Sequence, residues 1–581
     1  LHIAPHQNGP TVMSPDRAIS PALPRRQRLL AALLAAAIAT LSACGSDAPP
    51  GTSTGTVADN GTPTTPARKP NILYIMADDL GFADVGFNGG KIDTPAIDSL
   101  EAQGVELQRF YTTPLGAPTR AALMTGRDPM RLGITYSELY AWDNLGVHPD
   151  EHFMSQSFKL AGYQTAVMGA WGLGHSQETF HPNQRGFDQF WGQLLSGSEL
   201  NAPYHNVGGI DIQSNGKRLD ASGYLPTLLG DKAAQYILTR EKSKPFFMLL
   251  PFSSAKKTDA APAELMAKYE NRSANNVSLD PAKQLARAAY AASVDAMDQS
   301  IAKVLQTLES EGLSDNTVIL FMSDNGGVVG VDGGADNGAL AGGRGETLEG
   351  GINVPALLVW PEKLKAGEKF SDIITVMDIF PTLAAAAGVP AKNVRTLDGL
   401  NLWPAISQNK PAPREKLVMF ASEASQYGHF DLTAFNDEWK LVQKVKQDLI
   451  YIEVENQLFR VSEGVDEQQN LASQYPGVVD DFTEALNKWR ALQPITGLRN
   501  NMVPPPGWRG PIDWAQYPMA LTMLQEKTAA GVPPPVARRP LDFQLGEKGR
   551  LIYDCVQKWW TFGLCITEVD EDIKVYREHQ K

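Results

Sequence analysis

The run NILYIMADDLG at residues 71–81 constrains the fold more than any other stretch of the chain. From Ile72 to Met76 every residue is apolar, with no alternation of wet and dry positions, so a strand built from it must be covered on both faces. Strands of that kind belong to parallel sheets sandwiched between helices, and Asp78 and Asp79 fall where such a strand would end. A second run, TVILFMSDNGG at 317–327, repeats the design and stays largely apolar until Asp324 and Asn325. In open α/β sheets ligands gather at the carboxyl ends of the strands, which makes these four oxygen-bearing side chains candidate site residues.

The stretches between the two runs alternate in the same way. Helices are predicted near 95–104, 118–126 and 152–161, with strands at 163–170 and at 244–253, where the chain reads KPFFMLLPFS. The segment 281–311 places Met297, Ile301, Val304, Leu305 and Leu308 on one helical face before Gly312 breaks it. Strands alternating with helices predict an α/β fold, a doubly wound, largely parallel sheet flanked by helices, over residues 70–410. Over 411–495 the pieces EKLVMFASEA and EWKLVQKV, followed by a helix at 479–491, predict a smaller C-terminal antiparallel α+β subdomain. Residues 496–581 contain MVPPPGW and GVPPPVARRP and read as an extended, Pro-rich tail.

Residues 1–44 read as an export signal. RRQRLLAALLAAAIATLSAC has a basic start and an apolar run from Leu29 to Leu41, about thirteen residues against the ~20 that a membrane-spanning helix needs. Leu41-Ser42-Ala43-Cys44 has the layout of a lipobox, in which cleavage leaves a lipid anchor on Cys44; an ordinary cleaved signal is the alternative. Met13 is the more ordinary start, so residues 1–12 are read as candidate untranslated sequence. Residues 45–69, rich in Gly, Ser, Thr and Pro, predict a disordered tether. The expectation is a lipoprotein of the bacterial cell envelope, and Gly45 rather than Asp after the cysteine points to the outer membrane.

Cys44 is one of only three cysteines in 581 residues. The other two, Cys555 and Cys565, would close a small disulfide loop in an oxidising compartment or stand as two buried thiols. A formal net charge of -13 argues against nucleic acid as a partner. No protein partner is legible.

Four segments together resemble the sulfatase family of the alkaline phosphatase superfamily: KPNILYIMADDLGFADVGFNGG, PLGAPTRAALMTGRDPMRLGI, YAASVDAMDQSIAKVLQTLESEGLSDNTVILFMSDNGG and LAGGRGETLEGGINVPALLVWP. The likeness runs in order over roughly residues 69–495. It implies kinship with calcium-dependent arylsulfatases, which are sulfuric ester hydrolases, with Asp78, Asp79, Asp324 and Asn325 as metal ligands. Four oxygen donors suit a hard cation, Ca²⁺ first, with Mg²⁺ or Mn²⁺ as alternatives.

At the catalytic positions the family pattern breaks. In the family, C-x-P-S/T-R opens a helix and its Cys or Ser is converted to formylglycine, whose hydrate attacks sulfur. Here the run is Gly116-Ala117-Pro118-Thr119-Arg120, and glycine yields no formylglycine. The family's G-K-W-H-x-G appears as Gly169-Ala170-Trp171-Gly172-Leu173-Gly174, so Ala170 replaces the Lys and Gly172 the His. His175, three residues on, is expected at the surface.

Lys256 stands where the family has another His and Arg344 where it has its last Lys. Both keep positive charge for holding an anionic ester, yet neither is a ready proton donor near neutrality. Losing a nucleophile typically costs orders of magnitude in rate. The expectation is a sulfatase scaffold that is catalytically dead or impaired, with Arg120, Lys256 and Arg344 lining a cleft for a metal and a sulfate or phosphate ester. The alternative is an active sulfuric or phosphoric ester hydrolase using a metal-bound water or Thr119 as nucleophile.

Overall fold

The computed structural model describes residues 68–515 apart from 196–200, 203–204, 206–207, 256–260, 275–279, 392–394, 426–428, 448–451, 465–466, 495–507, 509 and 512. The signal segment and Cys44, the tether to residue 67, Lys256, and Cys555 with Cys565 lie outside the described residues.

The first apolar run forms the strand Asn71–Ala77, buried at every residue. It sits inside a ten-stranded sheet, parallel to Phe246–Pro251 on one side and to Thr317–Ser323 on the other. Gln164–Ala170 and Gln189–Gln193 extend this parallel block. Toward the edges the sheet becomes mixed. Ala356–Val359 runs antiparallel to both Thr317–Ser323 and Val105–Leu107, and Gln213–Ser214 runs antiparallel to Gln189–Gln193. The parallel expectation thus holds for the centre, while these short outer pieces use antiparallel pairing, which needs no helical crossover.

Both faces of the central strand are covered, as its unbroken apolar run requires. Ile72, Tyr74 and Met76 pack into one core, Leu73, Ile75 and Ala77 into the other. The second core is closed by the helices Pro95–Gln103, Leu225–Thr239 and Pro281–Ser310. Met297, Ile301, Val304 and Leu308 are buried there, with Leu305 partly buried beside them. The helix Gly116–Thr125 lies on the first face and is buried along its whole length, ending at Gly126, whose φ of 65° suits glycine.

Four antiparallel strands, Val418–Ser425, His429–Phe435, Lys440–Gln447 and Ile452–Phe459, form the predicted subdomain. The helix Pro476–Arg490 covers them through Val479, Phe482, Leu486 and Trp489. An ion cluster joins this sheet to the main domain. The ammonium of Lys440, fully buried, meets Glu349 at 2.9 Å and Glu467 at 2.7 Å, and Tyr111 donates to the other oxygen of Glu349 at 3.1 Å.

The described part of the predicted tail is not extended away from the body. Trp514 is 2% exposed, its indole N–H donates to the Gly208 carbonyl at 2.9 Å, and its ring packs on His175. Burial takes the large indole surface out of water while its N–H keeps a carbonyl partner.

Lys440→Ala strands two buried carboxylates without a cation. Such a break is expected to lower stability by about 3–5 kcal/mol in urea denaturation, whereas a surface exchange such as Lys363→Ala is expected to stay within about 0.5 kcal/mol.

Candidate functional site

Sheet register builds the site. Ala77 lies opposite Ser323 in the parallel pair, so the residues that follow, Asp78 and Asp324, emerge side by side at the carboxyl edge. Main-chain bonds fix the junction: the Asp324 N–H donates to the Ala77 carbonyl at 3.0 Å and the Asp78 N–H to the Ser254 carbonyl at 2.6 Å. Asp79 then turns with φ 64°, a left-handed conformation rare for a residue with a side chain. Its own N–H donates to a carboxylate oxygen of Asp324 at 3.3 Å. Backbone outliers of this kind cluster at functional sites.

Asp78, Asp79 and Asp324 are all buried and offer oxygens lying within 4.8 Å of one another. Two arginines offset the charge. Arg120, 3% exposed, donates to Asp324 at 2.9 Å and to the Ala170 carbonyl at 2.8 Å, and lies 3.7 Å from Asp78. Arg344 pairs through Nε with Asp79 at 2.7 Å. Burial first, then the neighbouring Asp78, pushes the Asp324 carboxyl well above the usual carboxylate range, and Arg120 pulls it back. Asp79 foremost raises the pKa of Arg344.

Asn325 donates to Asp79 at 2.7 Å and to the Gly326 carbonyl at 2.9 Å, while its Oδ1 is buried and has no hydrogen-bond partner among the described residues. An orphaned amide oxygen beside three buried carboxylates fits a hard divalent cation, which would take it as a ligand. The four predicted ligands are therefore assembled in one place.

Gly116 opens its helix at the same spot. A Cβ placed there would come within 2.8 Å of an Asp324 oxygen and 3.5 Å of a Glu138 oxygen, so any side chain at this position would enter the acidic group directly. Leu115 supplies no side-chain cap to the helix. Glu138 provides one from a distance, accepting from the Gly116 and Ala117 N–H groups at 2.9 Å each and pairing with Arg344 at 2.8 Å. Sequence reasoning missed Glu138. It lies 22 positions from Gly116 with no periodic or spacing signal, and only the folded chain reveals the contact.

Thr119 is fully buried, accepts from the Thr113 N–H at 3.1 Å and lies 2.7 Å from the Thr113 hydroxyl, so it closes the local turn. One expectation is corrected. His175 is 5% exposed rather than on the surface, with its Nε2 3.1 Å from the Ala141 carbonyl, and burial holds its pKa down at about 4. A neutral imidazole finds Trp514 and a carbonyl there in place of water.

Ala170 ends its strand with a buried methyl group and contributes only its carbonyl, to Arg120. Trp171 keeps the motif anchored through its indole N–H to the Phe180 carbonyl at 2.9 Å. Gly172 has φ 69°, so the backbone has settled into a conformation that suits glycine.

A mixed sheet between helices, with acidic residues at adjoining strand ends, defines an alkaline phosphatase-like α/β protein. More narrowly, this chain belongs to the sulfatase family, whose model matches residues 70–389. N-acetylgalactosamine-6-sulfatase of Mus musculus is 31% identical over 370 residues, covering 60% of this chain and 68% of its own. Steryl-sulfatase of Homo sapiens is 33% identical over 406 residues, covering 58% and 70%. Against arylsulfatase J of Mus musculus, 29% identical, the match spans only 58% of that protein's length. The crystal structure of Ps i-CgsB in complex with k-i-k-neocarrahexaose superposes with a TM-score of 0.65 at 30% identity, over 80% of this chain and 98% of that one. Phosphonate monoester hydrolase of Agrobacterium radiobacter, at 17% identity and a TM-score of 0.52 over 75% of this chain and 97% of its own, shares the fold.

Proposed function

We propose that this chain is a sulfatase-family protein in which ester hydrolysis is lost or strongly impaired, and whose cleft still takes a divalent cation and an anionic sulfate or phosphate ester. Gly116 carries the reading. It stands at the helix start beside the acidic group, where the family places formylglycine, and it has no side chain that could be oxidised or could attack sulfur. The blank positions Ala170 and Gly172 support the same conclusion, since nucleophile and proton-transfer groups act as a set and each is worth little without the others. Engagement of Thr119 with Thr113 in the local turn argues against it as a substitute nucleophile.

Ca²⁺ is the preferred cation, because three carboxylates and an amide oxygen are hard donors and leave coordination places for water or ester. Arg120 and Arg344 would balance the charge of an ester drawn into the cleft, with Lys256 as a further candidate from the sequence pattern. The protein is further read as lipid-anchored at Cys44 and sorted to the outer membrane, on the strength of the lipobox and Gly45.

Two experiments test this. The purified, unmodified chain supplied with Ca²⁺ is expected to turn over aryl sulfate and aryl phosphate at rates near the uncatalysed background; turnover of about 1 per second or more, ordinary for an enzyme, overturns the impaired reading in favour of metal-bound water as nucleophile. Cys44→Ala is expected to move the protein from the membrane fraction to the soluble fraction, and unchanged membrane association contradicts the lipid anchor.

A further inference from the structure

The mouth of the Gly116 helix already holds an anion, and that anion is part of the chain. The two carboxylate oxygens of Glu138 each receive one backbone N–H, from Gly116 and from Ala117, both at 2.9 Å. Arg344 adds a third donor at 2.8 Å while holding Asp79 through another nitrogen at 2.7 Å. Helix N–H groups and a guanidinium converging on two oxygens of one group form the arrangement that suits a sulfate or phosphate oxyanion. A Cβ on residue 116 would lie 3.5 Å from the nearer Glu138 oxygen, an ordinary contact, so the seat of the carboxylate rests on the two N–H groups and Arg344. The Glu138 side chain is 13% exposed, so it is seated in the cleft rather than lying over it.

We infer that Glu138 is a built-in occupant of the anion cradle, a specificity-determining residue that keeps the cleft closed to sulfate and phosphate esters until it is displaced. The inference rests on the reading of this helix terminus as the place where an ester's anion binds. A tethered carboxylate competes at a high effective concentration, so an external anion must offer more than equivalent hydrogen bonds to replace it. Like charge adds to the exclusion, because an ester arriving while Glu138 is still seated meets a carboxylate together with Asp78, Asp79 and Asp324.

The test uses the full chain, with inorganic sulfate and phenyl sulfate as probes, titrated calorimetrically at fixed ionic strength into wild type, Glu138→Ala and Glu138→Gln. Both variants are expected to bind at least 10-fold more tightly than wild type, and adding Arg344→Ala to Glu138→Ala is expected to remove the gain. Glu138→Gln keeps the volume and one acceptor oxygen, so it decides the matter if Glu138→Ala does not fold. Melting temperature separates the plug from a simple helix cap. A cap alone lowers the variants' melting temperature with sulfate affinity unchanged, whereas an emptied cradle lets sulfate restore the melting temperature of the variants and not that of wild type. Equal, measurable affinity in wild type and folded variants overturns the plug and leaves the anion cleft standing. Absence of binding in every folded variant overturns both.

Discussion

Three carboxylates buried within reach of one another are the constraint on which this structure turns. Taking charge out of water costs several kcal/mol for each ion, and Asp78, Asp79 and Asp324 would repel one another without compensation. Compensation comes from separate elements. Arg120 arrives on the Gly116 helix, Arg344 on the loop before Glu349, and Asn325 follows Asp324 on the same strand end. The central sheet register, the placement of the helix and the path of the Arg344 loop therefore depend on a single electrostatic balance. Glu349 extends this dependence outward, because the same loop carries the buried partner of Lys440 and fastens the C-terminal sheet.

That balance draws on no side chain at residue 116. Arg120 stands one helical turn beyond Gly116 and holds Asp324 and the Ala170 carbonyl through its guanidinium. Asp324 approaches so closely that a Cβ on Gly116 would lie 2.8 Å from its oxygen, and Gly172 has taken a left-handed conformation. A side chain at residue 116 would require Asp324 to shift.

Much of this was legible in the sequence, for physical reasons. Unbroken apolar runs ending in Asp78-Asp79 and Asp324-Asn325 announced doubly covered parallel strands, and strands in register necessarily bring their ends together. The substitutions at Gly116, Ala170 and Gly172 could be read directly because they fall inside long, ordered motifs. Contacts between distant loops left no trace of that kind. Glu138 lies in a stretch without periodicity, and its role depends on a helix terminus 22 residues earlier. The antiparallel outer strands are two to four residues long, too short for a period to register. Trp514 sits in a Pro-rich context that reads as extended, and its burial beside His175 is set by tertiary packing alone.

The central claim is that the cation-binding skeleton outlived the catalytic groups, and its most direct measurement is the melting temperature of the purified chain as Ca²⁺ is titrated. A ligand that binds only the folded state stabilises it by about 2.7 kcal/mol at one hundred times its dissociation constant. The account predicts a rising melting temperature in wild type that saturates with Ca²⁺, and loss of that response in Asp324→Ala. A wild-type melting temperature that does not move at millimolar Ca²⁺, Mg²⁺ or Mn²⁺ would contradict it, leaving Asp78, Asp79, Asp324 and Asn325 as a vestige held together by Arg120 and Arg344.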